Sequence, residues 1–133
     1  MRVIRNNPEA VAAPVGSYSH AVRVETGDAA WIHIAGQVAI GTDGDLVGIG
    51  DMRAQTEQVF ENLRAILEAN GASFADVVKI TTYVTTLEDL GGMREVRARY
   101  LGDDLPASTA VQIVALVLPD ALIEVDAVAV VPA

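Results

Sequence analysis

The chain has 133 residues, of which 51% are hydrophobic and none is cysteine. These values exclude disordered, fibrous and disulfide-stapled proteins, and they predict a single domain over residues 1–133. Nine basic residues against 18 acidic ones give a net charge of −9, which repels phosphate backbones, so we expect no nucleic-acid partner. No membrane-length apolar stretch and no signal-peptide pattern is visible, so we expect a cytoplasmic protein without membrane contacts.

The first half of the chain predicts a β-hairpin followed by a long helix. Val22–Thr26 and Trp31–Ile40 combine β-branched and aromatic residues with partial alternation, which favours two strands. From Met52 to Asn70 the apolar residues recur at helical spacing. Asp51 is placed to cap the start of this helix, and Gly71 is placed to end it.

The second half predicts strand, helix, strand, strand. Val77–Thr85 is rich in β-branched residues, and Leu90–Leu101 has helical spacing. The nearly continuous apolar run Ala110–Leu118 predicts a strand covered on both faces. Leu122–Val131 alternates as a strand with two distinct faces. This order predicts an α+β fold with one sheet and two helices on one of its faces.

The face of the predicted sheet that points away from the helices, called the second face, must be covered by other protein. In the last strand it carries Glu124 and Asp126 followed by Val128 and Val130. A large exposed apolar face is a liability for a single chain. We therefore expect a homo-oligomer that buries it.

Glu124 is the strongest candidate for chemistry. A carboxylate between Ile123 and Val125 in a strand is desolvated unless a partner compensates. Desolvation raises a carboxyl pKa and suits the group to proton transfer. The alternative is a solvated strip with Asp126, or an ion pair with an arginine of a neighbouring subunit.

Other candidates lie on the second helix and before the first strand. Arg94 and Arg97 are three residues apart and can face the same way, where a guanidinium would bind a carboxylate through two hydrogen bonds. The alternative is a solvated helix face paired with Glu95 or nearby acids. Tyr18 either lines a cleft with its hydroxyl or closes a hydrophobic corner. We expect structural roles for His20 and His33, and neither a metal site nor a cofactor.

Six segments, taken together and in order, resemble one family across nearly the whole chain. The segments are Gly16–Ala21, Ala35–Gln37, Gln55–Gly71, Asp76–Thr81, Pro106–Thr109 and Ile123–Val130. With these segments the sequence resembles the Rid family, also called YjgF-like and historically named endoribonuclease L-PSP.

The resemblance implies a chorismate-mutase-like α+β fold and a homotrimer with clefts between its subunits. It also implies hydrolysis of reactive enamines or imines to 2-keto acids and ammonia without a cofactor. In the RidA subgroup an arginine in a Pro-Ala-Arg-Ser segment holds the substrate carboxylate, and a tyrosine, a serine and a glutamate complete the site. Tyr18 and Glu124 match the tyrosine and the glutamate, and we predict that they are catalytic.

The substrate-binding positions depart from the RidA pattern. Ser108 stands where the arginine is expected, and Ala35 stands where the serine precedes Gly36. Arg94 replaces an asparagine of the second helix, and from there it is a candidate to supply the missing charge. The resemblance places these four residues, together with Ala110, around a small-molecule ligand, for which a carboxylate is one candidate.

Three functions remain open from the sequence. The first is a hydrolase or deaminase of small reactive imines, enamines or related metabolites. The second is a trimer that binds a small metabolite without turnover. The third is the endoribonuclease or translation inhibitor of the historical family label, which the net charge of −9 disfavours.

Overall fold

A computed structural model describes all residues, 1–133, and contains one six-stranded sheet with two α-helices on one face. The strands lie in the order β1-β2-β3-β6-β4-β5. Only β4 and β5 run parallel; every other neighbouring pair is antiparallel. This is the α+β fold that the element order predicts. The elements are β1 (Arg2–Asn6), β2 (Ala21–Thr26), β3 (Ala29–Gln37), α1 (Met52–Ala69), a 3₁₀ turn (Phe74–Asp76), β4 (Val77–Val84), α2 (Leu90–Leu101), β5 (Ala107–Gln112) and β6 (Ile123–Pro132).

Both helices occupy the predicted segments, and local side chains explain their ends. The Asp51 carboxylate accepts a hydrogen bond from the backbone N–H of Ala54 at 3.0 Å and so caps α1. Gly71 follows the end of α1 with φ +73°, a conformation that side chains with a Cβ rarely adopt.

The core lies between the helices and one face of the sheet. Along β6, alternate residues are buried from Ile123 to Val131, whereas those between them stay partly exposed. Phe60 and Leu63 of α1 are fully buried against this face. The two-residue period of β6 therefore assigns one set of its side chains to the core and the other to the second face.

A buried glutamine joins α1 to the start of β6. The Gln55 amide nitrogen donates to the carbonyls of Gly48 and Asp120 at 3.1 and 2.9 Å, and its oxygen accepts from the N–H of Leu122 at 2.8 Å. These three bonds satisfy backbone groups that the fold removes from water. They also set where β6 begins.

The sequence does not predict the first strand, and it predicts one other strand wrongly. The basic N-terminal residues form β1, which pairs with β2 in register Val3 to Val24; the strand is short and at the edge, so its sequence carries little pattern. The run Ala110–Leu118 is not a strand covered on both faces. The strand is β5, which ends at Gln112, and all six of its residues are exposed at the sheet edge. Apolar content alone does not distinguish burial within one chain from an apolar edge.

The second face of the sheet is uncovered in the single chain, as the alternation in β6 predicts. Trp31 of β3 is 44% exposed there, beside Val130 of β6 and Val24 of β2. His33 is also exposed on this face, opposite Val128. None of the helices is long and apolar enough to cross a membrane.

Replacing Gln55 by alanine tests the junction between α1 and β6. We expect Gln55→Ala to lower the free energy of unfolding by about 3 kcal/mol, because it removes a fully buried side chain and leaves three partly buried backbone groups without their partners. Gln58→Ala, which removes an α1 hydrogen bond to Asn62, is the matched control and costs about 1 kcal/mol or less. Urea denaturation of both variants measures the difference, and equal losses would contradict the assigned role of Gln55.

Candidate functional site

Glu124 lies in the middle of the sheet, on the uncovered face. It is half-buried in β6, directly opposite Tyr83 of β4. Burial raises the pKa of Glu124, and the negative charge of Asp126 raises it further. None of the ion pairs in the chain involves Glu124. The result is a carboxyl group that binds a proton more readily than an exposed glutamate does.

A bulge in β3 brings the backbone against this carboxyl group. Between Ile34 and Gln37, strand β3 contains one residue more than β6, so Ala35 and Gly36 lie across from Asp126. A Cβ at Gly36 would lie 2.8 Å from Cδ of Glu124, closer than such atoms approach. Glycine at this position is therefore what leaves room for the observed placement of the glutamate.

Tyr18 lies next to the same bulge. It lines a small cavity together with Gly36 and His20, and it is 43% exposed. The rings of Tyr18 and His20 meet edge to face, 6.0 Å apart. Gly36 therefore borders both the cavity that Tyr18 lines and the Glu124 side chain, and Tyr18, Gly36 and Glu124 are called the carboxyl site below.

His20 has the structural role that the sequence suggests. The buried ring lies with Nε2 2.7 Å from the Ala12 carbonyl and Nδ1 3.2 Å from the Gln37 amide nitrogen. An Nε2–H tautomer satisfies both contacts, because it donates to the carbonyl and accepts from the amide. The ring therefore supports the segment that carries Tyr18.

The remaining candidates line a second cleft, between α2 and β5, called the arginine cleft below. It encloses about 340 Å³, and its wall contains Arg94, Arg97, Ser108 and Ala110 but no acidic residue. An Arg97 Nη2 donates to Oγ of Ser108 at 3.0 Å. Burial lowers the pKa of Arg97, because the half-buried guanidinium has lost part of its hydration. Because the cleft is lined by two arginines and no acidic residue, its charge favours the binding of an anion.

The start of α2 sets the position of the two arginines. Asp89 adopts φ +54° and its carboxylate accepts from the N–H of Gly92 at 3.1 Å. A Cβ at Gly92 would lie 2.5 Å from an oxygen of Asp89. Gly92, which weakens the helix by propensity, is therefore needed for this cap, whereas a Cβ at Gly91 would meet no atom within 4 Å.

A single chain does not bring the two groups together. Ser108 pairs with Ile80, a core residue of β4, so its side chain is on the helix side of the sheet. Glu124 pairs with Tyr83 on the uncovered side. The structure therefore places Arg94, Ser108 and Ala110 in the arginine cleft, with Ser108 on the opposite face of the sheet from Glu124. Ala35 lies in the bulge beside Gly36 and not in this cleft.

Tyr83 is the neighbour that sequence reasoning missed. The charge of Asp126 raises its pKa, with smaller contributions from burial and from Glu124. Only the antiparallel register of β4 and β6 places the phenol opposite Glu124, and no local pattern signals that register. No group of three or more histidine, aspartate or glutamate side chains is arranged to hold a metal ion.

Comparison with known proteins identifies the family. Residues 8–131 match the family described as endoribonuclease L-PSP, and the chain belongs to this family, the Rid or YjgF-like proteins. A RutC family protein of Pyrococcus abyssi is 41% identical over 91% of both chains. The 2-iminobutanoate/2-iminopropanoate deaminase of Rattus norvegicus is 33% identical over 89% of this chain and 82% of its own.

The fold agrees with the family. The crystal structure of RidA from an Antarctic Psychrobacter is 35% identical and superposes with a TM-score of 0.83 over 96% of this chain and 99% of its own. The expected family and its α+β architecture are therefore confirmed.

Removing one charge tests the electrostatics of the carboxyl site. We expect Asp126→Asn to lower the pKa of Glu124, because the like charge that favours its protonated form is gone. The ¹³C shift of the Glu124 carboxyl carbon, followed through a pH titration, measures this pKa. Asp43→Asn, in an exposed loop, is the control and should leave it unchanged. A Glu124 pKa that is insensitive to Asp126 would contradict the coupling.

Proposed function

We propose that this protein is a cofactor-independent deaminase that hydrolyses small imines or enamines to carbonyl compounds and ammonia. The observation that carries the proposal is Glu124, a half-buried carboxyl group with a raised pKa and no ion-pair partner, placed against Gly36 and near Tyr18. The rat relative is named a deaminase of 2-iminobutanoate and 2-iminopropanoate, which agrees with this chemistry.

The working site is proposed to form between copies of the chain in a homotrimer. The carboxyl site and the arginine cleft lie on opposite faces of one sheet, so a ligand that touches both needs two copies. The uncovered face around Trp31 and the exposed edge strand β5 supply apolar surface for such contacts. Val114 and Val117, at 102% and 99% exposure beyond β5, add to this surface.

The proposed reaction is a hydrolysis in which no oxidant or reductant takes part. Glu124 accepts a proton from a water molecule as the water oxygen bonds to the imine carbon. That proton passes to the nitrogen and gives a carbinolamine. Glu124 then takes the proton of the carbinolamine hydroxyl and returns it to the nitrogen, so that the C–N bond breaks, ammonia leaves and the carbonyl forms. The Tyr18 hydroxyl, at the same bulge, is proposed to hydrogen-bond the reacting water or nitrogen. An enamine enters this path after protonation at carbon gives its imine.

The charge of the protein supports a small-molecule substrate over RNA. A net charge of −9 per chain opposes phosphate binding, and the arginine cleft provides two guanidinium groups rather than an extended basic surface. We therefore do not propose the ribonuclease activity of the family description. Metabolite binding without turnover is an outcome of the assay below, and a cytoplasmic location stays a prediction.

The activity test follows keto-acid release from an imine generated in situ, with purified protein and a buffer control. We expect Glu124→Gln to lower kcat at least about 100-fold, because an amide cannot accept the proton. In the wild type, kcat/KM should rise with pH through a pKa above that of an ordinary glutamate, since the base is active when ionised.

Glu88→Gln, an exposed acid, is the matched control and should match the wild type. A wild type no faster than buffer overturns the deaminase proposal and favours binding without turnover.

The oligomer has its own test. We expect light scattering to give three times 14.0 kDa, and Val128→Asp to shift the protein to monomers, because it places a charge on the uncovered face. Ala69→Asp adds the same charge on the exposed side of α1 and should remain trimeric. A monomeric wild type would rule out a site shared between chains.

A further inference from the structure

Arg97 differs from every other arginine of the chain. Arginines 2, 23, 53, 64 and 99 each form an ion pair with a glutamate. Among the three that do not, Arg5 and Arg94 are exposed, whereas Arg97 is half-buried. A half-buried guanidinium without a carboxylate partner has lost hydration and gained no ion pair in return. In a chain with 18 acidic residues, Arg97 is the one partly buried arginine that has no ion pair.

Ser108 holds this guanidinium at the mouth of the cleft. The bond from Nη2 to Oγ is 3.0 Å long and uses one of the five N–H donors of the arginine. Serine is small, so it leaves the space in front of β5 to the side chain arriving from α2. Enough donors remain to bind both oxygens of a carboxylate at once.

Apart from Gln112, the other walls of the cleft are apolar. Leu87, Leu90, Met93 and Val111 line it beside the arginines, and its volume is about 340 Å³. The combination of one fixed cation, no acid and short apolar walls suits a small carboxylate with a short aliphatic side chain. A 2-imino or 2-keto acid has this composition.

We propose that Arg97, held by Ser108, binds the carboxylate of the substrate, and that the exposed Arg94 does not. The cation reaches the cleft from helix α2 rather than from strand β5, where position 108 is a serine. Arg97 is a substrate-binding residue and Ser108 a positioning residue. The identity of the substrate in this inference rests on the proposed function. The test does not rest on it, because the test measures binding and requires no turnover.

The experiment measures equilibrium binding of pyruvate to the intact protein by NMR titration, with pyruvamide as the uncharged counterpart. We expect wild type to prefer pyruvate, and Arg97→Met to weaken pyruvate binding by about 10- to 100-fold while leaving pyruvamide unchanged. Arg94→Met should weaken pyruvate binding by less than about threefold, because an exposed charge is screened by water. Thermal melting of each variant checks that it is folded.

Ser108 is tested by substitutions that keep or remove its hydroxyl. Ser108→Ala should weaken pyruvate binding severalfold, and Ser108→Thr should restore it, because threonine also accepts from Arg97. In the imine assay Ser108→Ala should raise KM with little change in kcat. If Ser108→Ala prefers pyruvate over pyruvamide as strongly as wild type does, the positioning role of Ser108 is overturned.

The outcomes separate this inference from the deaminase proposal. If wild type fails to hydrolyse the imine but binds pyruvate through Arg97, the deaminase proposal fails and the assignment of Arg97 stands. If Arg94→Met loses as much affinity as Arg97→Met, or if wild type does not bind pyruvate saturably, the assignment is overturned.

Discussion

The two-sided central strand β6 is the constraint on which the rest of the structure depends. Its buried residues, from Ile123 to Val131, must meet the helices, and this requirement leaves Glu124 and Asp126 on the opposite face. The buried Gln55 sets the start of the strand, since three hydrogen bonds tie it to the preceding turn and to Leu122. A shift of one residue would bury the carboxylates in the core and expose the isoleucine and valines, so the register that forms the core also forms the carboxyl site.

Each half of the candidate site depends on a glycine, a residue that is unfavourable inside a regular strand or helix. Gly36 sits in the β3 bulge and leaves the space that the Glu124 side chain occupies. Gly92 weakens α2 by propensity, yet it permits the Asp89 cap from which the helix presents its arginines. Each glycine destabilises its element through the conformational entropy it loses on folding, and each allows a charged side chain to take a defined position.

The distribution of charge separates the two halves. Glu124 and Asp126 lie close together on the uncovered face, where burial and the charge of Asp126 raise the pKa of Glu124. The arginine cleft on the helix side contains cations and no acid. Ser108 of β5 carries no charge, and the cation beside it comes from α2, where Arg97 donates to the Ser108 hydroxyl.

Much of this protein follows from its sequence. The 3.6-residue spacing of α1, its Asp51 cap and the alternation of β6 depend on neighbouring residues, so they predicted the helices, the central strand and Glu124 as a desolvated carboxyl group. The sequence does not predict the edge strand β1, because the strand is short. It also does not predict the exposure of β5, because the apolar run after Ala110 has the same composition whether it is buried or exposed. The placement of Tyr83 opposite Glu124, the separation of Ser108 from Glu124 and the choice of Arg97 over Arg94 required tertiary structure. Each depends on strand register or on contacts between distant segments, which local patterns do not encode.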